Sequence, residues 1–175
     1  MKDQLGTTLS INTIYHGRVF TVVNDKVKLP NGREASMDVI RHPSSVVLLP
    51  MPDSDHVILV RQYRYSIDRW IWELPAGTLE PSEDVVDAAH RECQEETGYQ
   101  ANQLKPMGGF YPSPGYSDEM MLFFCLTGLK KPVTPLAPDS DEVLEPKIFT
   151  LTEARRMVRD SDAMDMKTIL GLSLI

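Results

Sequence analysis

The segment Glu83–Thr97 carries neither glycine nor proline and is rich in strong helix formers, so it is read as a helix. Ser82 is placed as its N-cap, Glu83 and Asp84 in its first turn, and Gly98 just beyond its end. At about 100° per residue with Glu92 at zero, Val85, Ala88 and Ala89 fall at roughly +20°, −40° and +60°, and Glu96 and Glu95 at roughly +40° and −60°. One stripe is thus apolar at its start and acidic at its end. A core-facing stripe is apolar throughout and a solvated one polar throughout. Carboxylates spaced i, i+3 and i+4 converge, and like charges at that range are costly unless a cation or a proton offsets them. Two arrangements meet the requirement. One is a hard divalent ion (Mg²⁺, Mn²⁺ or Ca²⁺) on oxygen ligands; the other is ion pairing to Arg91 and nearby basic groups on a solvated surface.

Around this helix the pattern is that of strands. β-Branched and aromatic residues are dense over Ile14–Val23 and Lys26–Leu29, and Pro30-Asn31-Gly32 reads as a tight turn, which together predict an antiparallel ribbon over the first forty residues or so. Val39–Pro50 and Val57–Tyr65 are apolar-rich strands separated by the Pro52–Asp55 turn, and Trp70–Leu74 is a further short strand. Beyond the helix, strands are expected at Leu104–Gly109, Met120–Leu126 and Lys147–Thr150, with loops at Tyr111–Tyr116 and Asp139–Glu145. Thr152–Arg159, capped by Thr152, and Met166–Leu172 read as closing helices.

With 175 residues, 42% apolar and 25% charged, the chain is the size of one ordinary folded domain. Its longest apolar stretches, Val46–Leu49 and Met120–Leu126, are far short of a membrane span, and Met1–Gly6 lacks an apolar signal core, so a cytoplasmic protein without a membrane partner is expected. Cys93 and Cys125 show no metal or disulfide spacing and are expected as buried thiols. The 18 Lys and Arg against 25 Asp and Glu give a net charge of −7, a field that repels phosphate backbones and argues against a nucleic-acid partner. His16, His42, His56 and His90 show no ligand spacing either.

Gly77, Glu83, Arg91, Glu92, Glu95, Glu96 and Gly98 stand in the order G-x5-E-x7-R-E-x-x-E-E-x-G. This resembles the Nudix box, and the match arises by chance with probability on the order of 10⁻⁸ per start position. Cys93 is smaller than the bulky residue the family keeps at that place, a departure that touches packing rather than ligands. The flanking runs Arg61-Gln62-Tyr63-Arg64-Tyr65, Trp72-Glu73-Leu74-Pro75-Ala76-Gly77 and Ser113-Pro114-Gly115-Tyr116-Ser117-Asp118-Glu119 are similar to the ADP-ribose and nucleoside-diphosphate-sugar pyrophosphatase branch, over roughly Val39 to Phe149.

The resemblance implies an α/β protein with the Nudix fold, an α/β/α sandwich around a mixed sheet. It implies an N-terminal antiparallel β-ribbon over 1–40, serving dimerisation, and a Nudix domain over 41–175. The activity implied is divalent-metal-dependent hydrolysis of the diphosphate of ADP-ribose or a nucleotide sugar to a nucleoside monophosphate and a sugar phosphate. Alternatives are a Nudix hydrolase of dinucleoside polyphosphates or RNA 5′ ends, and a non-catalytic nucleotide-binding sensor. On this resemblance Glu92 and Glu96 are the principal ligands of Mg²⁺ or Mn²⁺, Glu95 an auxiliary ligand with a part in catalysis, and the Ala76 carbonyl a backbone ligand. Arg91 orients the glutamates, and Gly77, Gly98 and Pro114 serve backbone turns. Glu142 is the expected general base with Asp141 second, the other reading of that segment being a solvated acidic turn. Arg64 is expected to fork onto a phosphate, with Gln62 on the same strand face. Glu73, Arg41 and Tyr15 complete the expected substrate contacts, Tyr15 and Phe20 being equally readable as ribbon packing. Trp70 and Trp72 are read as core or dimer packing and left out of the site. A homodimer is expected, the ribbon being exchanged between subunits.

Overall fold

Val46, Val47, Leu48 and Leu49 form an unbroken apolar run, the pattern of a strand covered on both faces. In the computed structural model, which describes residues 5–136, 143–160 and 165–175, every residue of that strand is buried. The chain divides into two compact units, Met1–Pro43 with Tyr111–Met120, and Ser44–Phe110 with Met121–Ile175. The first unit thus takes in a downstream loop as well as the ribbon.

The second unit is built on the buried strand. The strands of the first unit are β1 (Thr7–His16), β2 (Thr21–Lys28) and β3 (Glu34–Arg41); those of the second are β4 (Ser45–Pro50), β5 (His56–Arg64), β6 (Arg69–Glu73), β7 (Ala76–Thr78), β8 (Gln103–Phe110), β9 (Met121–Thr127) and β10 (Leu144–Thr150). The helices are α1 (Val85–Thr97), α2 (Leu151–Arg159) and α3 (Met166–Ser173). One sheet runs β7-β4-β9-β8, with β4 and β9 parallel and the other pairs antiparallel; a second, antiparallel sheet runs β10-β5-β6. Alternation along β4 sends Val46 and Leu48 to a cluster with Ala88, Ala89 and Cys93 of α1. Val47 and Leu49 go to the opposite cluster, with Leu59, Phe123, Ala154 of α2 and Leu172 of α3. Helices therefore flank the β layers on both sides, the α/β/α arrangement of the Nudix fold.

Within the first unit β1, β2 and β3 form an antiparallel three-stranded sheet. The expected strand Ile14–Val23 is two strands, because Gly17 N–H closes onto Phe20 O at 2.9 Å and reverses the chain. β2 runs on through Asn24-Asp25, which joins the two stretches dense in strand formers. Val39–Pro50 is also two strands, divided at Pro43, which has no N–H to give a ladder. Two caps differ from expectation. α1 is capped by Asp84, whose side chain accepts from Val86 N–H, while Ser82 sits at φ 67° in the preceding turn. α2 is capped by Thr150 in a reciprocal capping box with Glu153, not by Thr152. β7 was not expected, and Cys125 is half-buried rather than buried. Among the described residues no helix is long and apolar enough to cross a membrane.

Leu48→Ala, at a site with no exposure, is expected to cost about 2–5 kcal/mol in urea unfolding, whereas exposed Val133→Ala leaves the midpoint unchanged. Burial, reinforced by the charge of Glu96 and opposed by a hydrogen bond with Thr97, pushes the Cys93 thiol from its ordinary 9.0 up to about 11. The unfolded chain then releases that proton first, so stability falls as pH rises from 9.0 to about 11. Wild type is expected to lose stability relative to Cys93→Ala across that window, and a flat difference between the two would count against it.

Candidate active site

Small residues seat α1 on β4: Ala88 and Ala89 have no exposure, and Glu92 and Glu96, continuing the same stripe, are 8% and 4% exposed. The helix stops at Gly98, whose φ of 70° suits glycine and whose N–H reaches Gln94 O at 2.8 Å. Lys131 Nζ donates to the Gly98 carbonyl at 3.2 Å, covering that end.

Arg91 organises the acidic half. Its Nε and Nη2 donate to the two oxygens of Glu83 at 2.8 and 2.9 Å, and its Nη1 donates to Glu92 Oε1 at 2.7 Å and Glu95 Oε2 at 2.9 Å. The hydrogen bonds to Glu83 lead, over an opposing cost of burial, in raising the guanidinium's pKa, so Arg91 stays charged. The same bonds hold the Glu83 carboxyl below the usual carboxylate range. Glu96 Oε2 instead accepts the Ala76 N–H at 3.1 Å, tying β7 to the helix. At Gly77 a Cβ would lie 1.8 Å from the Glu92 carboxyl carbon, so a larger residue there would displace that carboxylate from its present place.

The ion pairing that one sequence reading anticipated is therefore present, but not on a solvated surface. Within the box Arg91 pairs with three carboxylates, of which Glu92 is buried, and the buried Glu96 lies beside them on Ala76 N–H. Among the described residues no three His, Cys, Asp or Glu side chains are gathered as a metal cage. The reason is geometric: Glu92 and Glu95 turn to Arg91, and Glu96 turns to Ala76 N–H. The donor set is all hard oxygen and net anionic, which fits a Mg²⁺-like cation once those carboxylates rotate off their present donors.

A second ionic cluster lies at the ends of β5 and β6. Arg64 Nε and Nη2 fork onto both oxygens of Glu73 at 2.7 Å each, and Glu73 is 1% exposed. Lys167 of α3 donates to Glu73 Oε2 and to Asp165 Oδ2. Burial raises the Glu73 carboxyl, but Arg64 and Lys167 together outweigh it and hold the group below its ordinary value. Next to Lys167, Thr168 Oγ1 accepts the Leu74 N–H at 2.7 Å. Lys167, Asp165 and Thr168 were not expected. The available signal was a lysine in the first turn of an otherwise apolar helix, where the helix dipole disfavours a cation.

Gln62 is buried on the Arg64 face of β5, while Arg61 lies 5.0 Å from the Trp70 ring centroid on the other face. Trp72 packs edge-on against Phe149 at 4.8 Å, and Trp70 is 40% exposed. A cavity of about 530 Å³ lined by Arg61, Trp72, Glu145, Pro146 and Lys147 contains none of the box residues. Within the first unit, Arg41 Nη1 donates to Asp118 at 3.0 Å and Nη2 to buried Asp25, which joins β2, β3 and the 111–120 loop while leaving the guanidinium partly exposed. Pro114 sits in a turn closed by Tyr116 N–H and Ser117 N–H on Ser113 O. Tyr15 is exposed, with its ring centroid 6.3 Å from that of Phe20. Glu142 and Asp141 lie outside the described residues.

A family model described as NUDIX domain matches residues 41–170. The ADP-ribose pyrophosphatase of Bacillus subtilis (strain 168) is 34% identical over 175 residues, covering 100% of this chain and 95% of that protein. The methanol dehydrogenase activator of Bacillus methanolicus is 33% identical over 168 residues, covering 96% and 91%. A solved structure described as an ADP compounds hydrolase superposes with a TM-score of 0.83 at 26% identity, covering 99% of this chain and 94% of that one. Shared architecture, a family match over most of the length and an Arg91-centred box that folds as one unit lead to a single conclusion: the chain belongs to the Nudix hydrolase family.

Proposed function

We propose that the protein hydrolyses the diphosphate of ADP-ribose, or of a closely related nucleoside diphosphate sugar, to a nucleoside monophosphate and a sugar phosphate. The observation that carries this reading is the buried Glu92–Glu96 pair beside Glu95, Arg91 and Gly77, in a chain whose relative of 34% identity over its full length is an ADP-ribose pyrophosphatase. Glu92, Glu95, Glu96 and the Ala76 carbonyl would hold Mg²⁺, or Mn²⁺ in its place. Such an ion neutralises diphosphate charge and lowers the pKa of a bound water.

The chain's own groups divide the remaining work. Arg91, anchored on Glu83, keeps a positive charge beside Glu92 and Glu95, and Gly77 keeps the backbone clear of Glu92. Arg64, its Nε and Nη2 taken by Glu73, turns its remaining Nη1 to a phosphate oxygen. Glu142, with Asp141 as the second choice, takes a proton from the attacking water. The water oxygen bonds to phosphorus, the bridging P–O bond breaks, and the bridging oxygen leaves on the other phosphate.

The ribbon over 1–40 serves a homodimer in this reading. Leu9, Ile11, Ile14 and Tyr15 of β1 are all exposed, and burying them against a second copy removes apolar surface from water. Tyr15 and Arg41 then contact substrate across that dimer. The net charge of −7 disfavours RNA, and a cytoplasmic location suits a nucleotide-sugar substrate.

Incubation with Mg²⁺ and equal amounts of ADP-ribose, ADP-glucose, GDP-mannose and a dinucleoside tetraphosphate, read by phosphorus NMR, is expected to yield monophosphates and sugar phosphates. Cleavage of the tetraphosphate alone would reassign the substrate, and no cleavage would favour a binding-only sensor. Glu96→Gln keeps an acceptor for Ala76 N–H and is expected to fold, yet to lose more than the roughly 10–100-fold typical of an outer-shell partner. For Gly77→Ala the new methyl displaces the Glu92 carboxylate, and the Mg²⁺ concentration giving half-maximal rate is expected to rise at least about tenfold with circular dichroism unchanged.

A further inference from the structure

Lys167 stands where two costs coincide. Its side chain is 6% exposed, and it lies in the first turn of α3, at the positive end of that helix's dipole. An apolar side chain of similar volume would fill the place at lower cost. What Lys167 supplies is charge: it meets Glu73 Oε2, the oxygen that also accepts from Arg64 Nη2, and it meets Asp165 on its other side. Among the described residues, the ion pairs of this cluster join two cations, Arg64 and Lys167, to two carboxylates, Glu73 and Asp165.

We propose that Lys167 is a positioning residue that keeps Arg64 available to the substrate's diphosphate by sharing the charge of Glu73; the inference rests on the hydrolase reading above. Glu73 fixes one edge of the guanidinium through Nε and Nη2, and Arg64, 39% exposed, presents its other edge outward. Arg64 lies within electrostatic reach of Glu96 and so borders the box. Thr168 reinforces the placement, because its bond to Leu74 N–H docks α3 on the chain that links Glu73 to Ala76. Without Lys167, buried Glu73 and part-exposed Asp165 are left with Arg64 as their cation, and an incoming anion meets a net negative cluster.

The sign of this effect can be reversed, which separates it from simple structural support. Lys167→Met leaves the cluster one charge negative and is expected to raise KM for ADP-ribose about tenfold, with kcat within about twofold. Asp165→Asn leaves it one charge positive while keeping an N-cap acceptor for Thr168 N–H, and is expected to lower KM by about two- to threefold. Lys167→Arg restores the charge and is expected to return KM toward wild type. KM shifts of the same direction in Lys167→Met and Asp165→Asn, or a fall in kcat with KM unchanged, would overturn the proposal. If Lys167→Met fails to fold, Asp165→Asn decides, and an unchanged or raised KM overturns it. Should the wild type leave ADP-ribose intact, the activity reading is what has failed; calorimetric Kd values for ADP-ribose then replace KM, with the same opposite signs expected and same-direction shifts overturning the proposal.

Discussion

The three-way grip of Arg91 on Glu83, Glu92 and Glu95 is the interaction on which the rest of the site depends. Like charges gathered on one turn of helix repel, and a partly buried guanidinium with several donors in a planar fork can satisfy three of them at once. Glu83 precedes the helix, so the same fork also pins the entering loop to the helix surface. A lysine would provide one point charge without the fork, and the loop would lose its fixed height above α1.

That grip is useful only because β4 holds the helix in place from beneath. The strand is buried on both faces, so α1 is seated by Val46 and Leu48 while α2 and α3 are seated by Val47 and Leu49 on the opposite side. A shift of one layer is therefore felt by the other through a close-packed strand. Gly171 shows how tight the far side is: a Cβ there would come within 2.3 Å of Leu74 Cδ1. α3 thereby presses on the residue that follows Glu73, and Thr168 bonds to its N–H.

The acidic stripe and its spacing were legible because helical period is a local property: Glu92 and Glu96 follow Ala88 and Ala89 on one face whatever the rest of the chain does. That Val46–Leu49 belongs to an apolar strand was legible from its run of apolar residues, while its burial on both faces comes from the packing of the helices. Helix starts were not legible. Ser82 and Asp84 are both good cap residues, and the choice fell to backbone conformation, since Ser82 takes a positive φ while Asp84 is extended. The Gly17 turn was hidden because β-branched residues stand on both sides of it. Lys167 was invisible as a partner of Glu73 because the contact joins residues far apart in sequence, and only the packing of α3 against β6 and its neighbours creates it.

The two ionic clusters differ in a way that suits one substrate. Among the described residues the box holds more carboxylates than guanidinium charge, an arrangement that attracts a cation, whereas the second cluster pairs Glu73 with both Lys167 and a partly exposed Arg64, an arrangement that suits the proposed contact with an anion. A diphosphate chelating a divalent ion presents both signs side by side. Unpaired charges of opposite sign attract one another strongly in a low-dielectric setting. Each set of carboxylates here has its own cation, Arg91 for Glu83, Glu92 and Glu95 and Lys167 for Glu73, while Glu96 is held by the Ala76 backbone N–H.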